Sequence, residues 1–270
     1  ARDRTLFTME FAEGKPRGKL KNAGPVANRR GTKIRFRPDP KIFGKSAFRP
    51  ERLYRMARSK AYLYGGVEIR WSCDASLIKD ETPAEAVLHF PGGISDSLAA
   101  ETEGQPRVVA NAWTGNVAFP EGQGRVEWAA CWLEQGEGFL HTYCNTVPTP
   151  LGGTHEAGFR AALVKGLRAY GELKNNRRAA QLTAEDVFAP LAAKLSLFIR
   201  EPQFQGQTKE RLTNGDAARL VEAATRDHFD HWLTGDPASA DNLLAFAIER
   251  AEERIRRKEA KGTERKSATR

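Results

Sequence analysis

Lys209 stands in the stretch EPQFQGQTKERL, residues 201–212, two places after Gln207. A hydrophobic strand-like run, LSLFIR, leads in and a helix-like run leads out, with Pro202 and Gly206 marking a tight loop between them. Lysine is a compact charge on a long, flexible stem, suited to reach a phosphate held by another domain. At a loop tip it can move in or out of a site, and so respond to whether that phosphate is present. Gln207 can add a neutral hydrogen bond. The same residues also allow a plainer reading, in which Thr208 caps the next turn and Lys209 is solvated.

A second candidate is GGTH, residues 152–155. Two glycines ahead of a helix let backbone amides point at an anion. The alternative is a tight strand-to-helix turn capped by Thr154. Other chemistries are excluded by their missing motifs: there is no GxxxxGK[ST] loop, no HExxH and no GxSxG. The five histidines are scattered. His228 and His231 lie three apart on one predicted helix without an acidic or thiol partner, so structural or surface roles are expected and no metal is assigned. Cys73, Cys131 and Cys144 form no CxxC pair, which points to reduced thiols rather than a disulfide framework or a zinc site.

These residues need elements to hold them. RTLFTMEFA (4–12) and GTKIRFRPDP (31–40) alternate polar and apolar and predict strands, the second with Ile34 and Phe36 on one face and Lys33, Arg35 and Arg37 on the other. FRPERLYRMARSKAYLY (48–64) has helical spacing, with Pro50 in the first turn and Gly65–Gly66 after the end. VEIRWS and AVLHF predict strands, and ISDSLAAE a short helix. RVEWAACWLEQ and EGFLHTYCNTVPT predict a hairpin across a Gly/Glu turn. A helix capped by Thr154 should run to about Leu173. LTAEDVF should be a short helix, KLSLFIREPQF a strand and DAARLVEAATRDHFDHWL a helix. A last helix from about Ala238 passes into a polar, basic tail. The order predicts an α+β protein, a small sheet backed by helices, with a domain boundary near residue 92.

With 270 residues, 40% apolar and 29% charged, the chain reads as soluble and globular. No apolar run approaches ~18 residues, so no helical membrane span is expected, and no signal peptide is expected either. The opening ARDRTLFTMEF reads as the middle of a strand pair, so the chain is expected to be a fragment. The net charge of +9 is uneven. Residues 1–60 carry 18 Lys/Arg against 5 Asp/Glu, residues 249–270 carry 9 against 5, and the part between is net negative. Basic margins suggest a polyanion partner at specific surfaces. The acids of the middle are expected to face outward.

GTKIRFRPDPKIF, NTVPTPLGGTHEAGFRAAL and EPQFQGQTKERL occur here in one order. Together they resemble the B subunits of bacterial type IIA topoisomerases, over essentially the whole chain. LSLFIREPQFQGQTKERL and the later HWL look closer to the topoisomerase IV branch than to DNA gyrase. The resemblance implies that residues 1–91 are the C-terminal part of a GHKL-type ATPase domain. Residues 92–270 would be a transducer domain similar to the second domain of ribosomal protein S5, with a long C-terminal helix leading toward a TOPRIM domain. The family's catalytic glutamate, magnesium-binding asparagine and glycine-rich lid are not found in this sequence.

The resemblance also implies site residues. Lys209 matches the lysine that reaches the ATP γ-phosphate, and Gln207 its glutamine partner. Thr32 matches a threonine lining the adenine pocket, where aminocoumarin-type inhibitors also bind, and Gly31 precedes it. Arg160 matches an arginine facing the cavity that holds the transported DNA. The implied cofactors are ATP and Mg2+. The implied partners are DNA, a topoisomerase A subunit carrying the cleaving tyrosine, and a second copy of the ATPase subunit joined on ATP binding. The implied place is the bacterial cytoplasm, at the nucleoid. The fragment alone is expected not to hydrolyse ATP. Two rivals remain: a non-enzymatic nucleic-acid-binding module of the S5 type, for which Lys209 has no use, and a GHKL ATPase of the mismatch-repair kind.

Overall fold

The computed structural model describes residues 1–44 and 47–268, with the helical backbone alone given for 261–268. The side chains of the basic tail beyond residue 260 therefore lie outside the described residues. The chain forms two compact units, divided between Leu53 and Tyr54.

In the first unit, β1 (Thr5–Thr8) pairs antiparallel with β4 (Lys21–Pro25), and between them β2 (Phe11–Ala12) and β3 (Lys15–Pro16) form a minimal hairpin. The strand expected over 31–40 does not form: residues 31–39 carry no regular element. Alternation makes a strand only when a neighbouring backbone supplies a ladder. Among the described residues none pairs with this segment, and Ile34 and Phe36 are left 80% and 71% exposed. Asp39 instead caps α1 (Pro40–Phe43), its carboxylate accepting from the Lys41 amide at 2.9 Å.

The helix α2 (Pro50–Leu63) follows, then the hairpin of β5 (Glu68–Ser72) and β6 (Glu85–His89), and α3 (Ile94–Glu101). The central sheet holds β7 (Trp113–Ala118), β8 (Gly124–Trp132), β9 (Phe139–Cys144) and β10 (Val147–Pro148). Next come α4 (Thr154–Leu173), α5 (Ala184–Phe188) and β11 (Leu191–Ile199). The chain ends with the small hairpin β12 (Phe204–Gln205) and β13 (Arg211–Leu212), then α6 (Gly215–Gly235) and α7 (Pro237–Ala268).

The sheet order is β10-β9-β11-β8-β7, which corrects the expected β8–β9 hairpin. β11 inserts between them, antiparallel to β8 and parallel to β9. LAAKLSL is buried along its whole length, and such a strand belongs in the centre, where both edges and both faces are covered. β7, which no sequence expectation named, closes the outer edge against β8.

One face of the sheet packs on α4 and α6. Val126, Trp128, Ala130 and Trp132 meet Phe159, Leu163, Val221 and Phe229 there. Each large apolar side chain so buried contributes about 1.5–3 kcal/mol. α4 and α6 approach closely because α4 presents small residues at four-residue intervals. A Cβ on Gly158 would lie 2.3 Å from the Ala218 carbonyl oxygen, and one on Gly166 would lie 2.5 Å from the Phe229 ring. The other face takes Leu63, Ile94 and Leu98 onto Ala129, Cys131 and Ala192. The end of α2 and the buried face of α3 thus share a core with the sheet, and residues 54–91 belong to the same compact unit. Most middle-region acids face outward as expected, but Asp186 does not. It is buried, capping α5 from within and pairing with Arg254 of α7 at 2.8 Å.

Candidate functional site

Lys209 sits in the turn of the β12–β13 hairpin, so the loop leaves into a short strand before the helix begins. Its backbone has φ 58°, in the left-handed region, and that of Gly206 has φ 75°. For a lysine this conformation costs about 1–2 kcal/mol. The turn is closed by the Lys209 amide donating to the Gly206 carbonyl at 3.4 Å. Gln207 and Lys209 are both exposed on this turn. The ammonium lies 5.9 Å from the centroid of the Phe204 ring, and among the described residues no carboxylate pairs with it. The tip is therefore a cation beside an exposed amide, with only the Phe204 ring near the charge and, among the described residues, no carboxylate to surrender on meeting an anion.

The base of the hairpin is held firmly. The Leu151 amide donates to the Glu210 carbonyl at 3.0 Å, and the Leu212 amide donates to the Gly152 carbonyl at 3.1 Å. Gly153, at φ 141°, has room for no side chain: a Cβ would stand 2.3 Å from the Leu212 carbonyl oxygen. The second glycine of GGTH is thus explained by close backbone approach to the QTK hairpin, and the first by its φ of 66° and the Glu156 carboxylate beside it. On the other side Asn214 accepts from the Gln203 amide at 2.6 Å and donates to the Glu201 carbonyl at 3.0 Å. Asn214 was not singled out from the sequence. An asparagine ahead of a helix reads as an N-cap, but its side chain makes no cap bond and ties the hairpin instead.

Thr154 does not cap α4 either. It is the first helical residue, and its buried hydroxyl has no partner among the described residues. The Glu156 carboxylate lies over Gly152, so the plain turn is favoured over an anion site at this helix start. Arg160, one turn on, donates to Glu156 at 2.7 Å and stacks its guanidinium 4.5 Å from the Phe188 ring centroid. It is half-buried and partly neutralised, apart from the hairpin in its contacts. Gly31, at φ 101°, and Thr32 are exposed in the first unit.

Two of the histidines are built into the core, while His89 and His231 are exposed, and His231 lies 3.7 Å from the Asp227 carboxylate, an acidic neighbour not credited from the sequence. His155 is fully buried, sharing a hydrogen bond with the Thr149 hydroxyl at 3.2 Å, and Thr149 in turn meets Thr142 at 2.6 Å. Burial pushes its pKa down to about 4, which keeps it neutral. His228 accepts from the Trp113 indole at 3.1 Å, and burial lowers its pKa as well. The three cysteines are free thiols. Among the described residues, no three His, Cys, Asp or Glu side chains gather to hold a metal ion, and no helix is long and apolar enough to cross a membrane.

The fold defines the class first. The chain superposes on the topoisomerase IV ATP-binding domain of Francisella tularensis, solved with a small-molecule inhibitor. The TM-score is 0.78 at 28% identity, covering 94% of this chain and 68% of that one. It also shares the fold of the Thermus thermophilus gyrase B ATPase domain, solved with an aminocoumarin, at TM-score 0.78, 24% identity, 97% of this chain and 69% of that one. The family profile described as DNA gyrase B matches residues 93–263, and the chain belongs to that family. Among curated relatives it is 52% identical to the DNA topoisomerase 4 B subunit of Caulobacter vibrioides, over all of this chain and 39% of that protein. It is 36% identical to the Pseudomonas aeruginosa counterpart, over 99% of this chain and 42% of that one. The chain thus spans about two-fifths of the length of these relatives.

Proposed function

We propose that this chain is the coupling part of the ATPase subunit of a type IIA topoisomerase of the topoisomerase IV kind. The observation that carries the reading is the exposed, unpaired Lys209 on a hairpin clamped at its base to the turn that starts α4. Lys209 meets the terminal phosphate of ATP, and Gln207 adds a neutral hydrogen bond. While that contact lasts it holds the hairpin toward the nucleotide; once it is lost the hairpin is released. Because the Leu151–Glu210 and Leu212–Gly152 bonds join hairpin to α4, either state is passed to the helices and the sheet. ATP supplies the phosphate whose presence is sensed, and Mg2+ would be held mostly by residues of the N-terminal half of the ATPase domain.

On the same reading the boundary between ATPase and transducer domains lies near residue 92. Thr32, with Gly31 before it, lines the base pocket. Arg160 meets phosphates of the transported duplex without reading sequence, and its Glu156 partner must yield for it to do so. The partners are DNA, the topoisomerase A subunit that cleaves it, and a second copy of the ATPase subunit, in the bacterial cytoplasm at the nucleoid. The test is reconstitution: the complete ATPase subunit, joined with its DNA-cleaving partner, should unlink interlocked DNA circles with ATP. Unlinking that proceeds equally without nucleotide would overturn the reading.

A further inference from the structure

Residues 14–38 contain nine Lys/Arg and no Asp/Glu. The run opens with Lys15, Arg17, Lys19 and Lys21 at every second position, passes through Arg29 and Arg30, and closes with a second alternating set ending at Arg37. All nine side chains are exposed, and among the described residues none is in an ion pair. Three acids of the same unit are engaged elsewhere: Asp3 pairs with Arg2, Glu13 with Lys41, and Asp39 caps α1. Nine like charges within 25 residues repel one another, and nothing in the fold of this unit uses them. No role assigned above draws on any of them. A ligand of one phosphate would need two or three cations. A surface of nine, spread along β3, β4 and the segment after them, matches an extended polyanion with regularly repeated charge.

We propose that residues 15–37 form a surface that binds the phosphate backbone of duplex DNA without reading its sequence, distinct from the contact assigned to Arg160. The choice of DNA among polyanions rests on the function proposed above; the surface itself rests on charge and exposure. Such binding is driven by counterion release, so its affinity falls with salt by a log–log slope of about −0.9 per phosphate contact.

The test is fluorescence anisotropy of the full 270-residue chain with a labelled duplex of roughly three helical turns, between about 50 and 200 mM salt. Three proteins are compared: the wild type, Lys15/Arg17/Lys19/Lys21→Gln, and a control with the same charge loss, Lys79/Arg177/Arg219/Arg256→Gln. All eight side chains are exposed, so folding should survive, and thermal melting checks that it does. The first variant should bind at least about tenfold more weakly at the lower salt, with a slope shallower by about three to four, while the control stays near wild type. If both variants weaken equally, net charge alone acts and the surface is disproved. If wild type binds but the first variant binds as well as it does, this surface is disproved while the topoisomerase reading stands. If wild type does not bind at all, the DNA partner of that reading falls with it. Displacement of the duplex by poly-glutamate at equal charge would assign the surface to an acidic protein instead.

Discussion

Gly153 carries only hydrogen where an alanine would place a methyl 2.3 Å from the Leu212 carbonyl oxygen, at a backbone φ of 141°. Gly153→Ala should therefore push the β12–β13 hairpin off the start of α4. A loss of about 3 kcal/mol or more in stability is expected by chemical denaturation, from clash and strain together. The histidine that closes the same GGTH motif sets a pH limit. His155 has a pKa of about 4 when folded, against about 6.5 when unfolded. The unfolded chain binds the proton more tightly, so stability from this residue is fully present above pH 6.5 and is lost as pH falls toward 4. The sum is roughly 3 kcal/mol, and His228 acts in the same direction. Denaturation at a series of pH values should show this acid limb, and His155→Gln should flatten it. GGTH was visible in the sequence as a turn before a helix. The reason for its second glycine was not, because Leu212 lies 59 residues away and only the fold brings it there.

The elements most legible in advance were those with strong internal periodicity: α2, α4, α6 and α7 form where the helical spacing placed them. Strand pairing was less legible. β8 and β9 are neighbours in sequence and both alternate, so a hairpin was the economical expectation. The burial of β11 along most of its length requires it to lie between them instead. The strand expected at 31–40 failed for the related reason that periodicity does not guarantee a partner. The last helix depends on distant anchors too. Arg254 donates to buried Asp186 through two bonds of 2.8 and 2.9 Å, Arg178 pairs with Glu252, and Asp241 receives both Tyr170 and Lys174. Asp186 also closes the capping box of α5. Asp186→Asn should cost about 2–3 kcal/mol in denaturant unfolding, less than for a wholly buried pair because Arg254 still reaches solvent. Hydrogen exchange should then rise in α5 and in the second half of α7 before it rises in the sheet.

At the scale of the molecule, charge and chemistry are divided. The first unit concentrates unpaired cations, and the second carries a rigid sheet-and-helix body with one exposed lysine at the tip of a clamped hairpin. On the proposed reading the glutamate that activates water belongs to the N-terminal half of the ATPase domain. The purified 270-residue chain should therefore show no Lys209-dependent ATP turnover in a phosphate-release assay. The chemistry assigned to Lys209 is electrostatic: it stabilises charge on the terminal phosphate and reports its loss. The central claim is tested most directly in a protein that joins this chain to the N-terminal half of an ATPase domain of its family. There, ATP turnover and nucleotide affinity would be measured for wild type and Lys209→Ala. The account predicts a fall in turnover of about 100-fold or more with affinity much less affected, the signature of a contact made chiefly in the transition state. Unchanged turnover would contradict it and leave Lys209 a solvated residue on a surface hairpin.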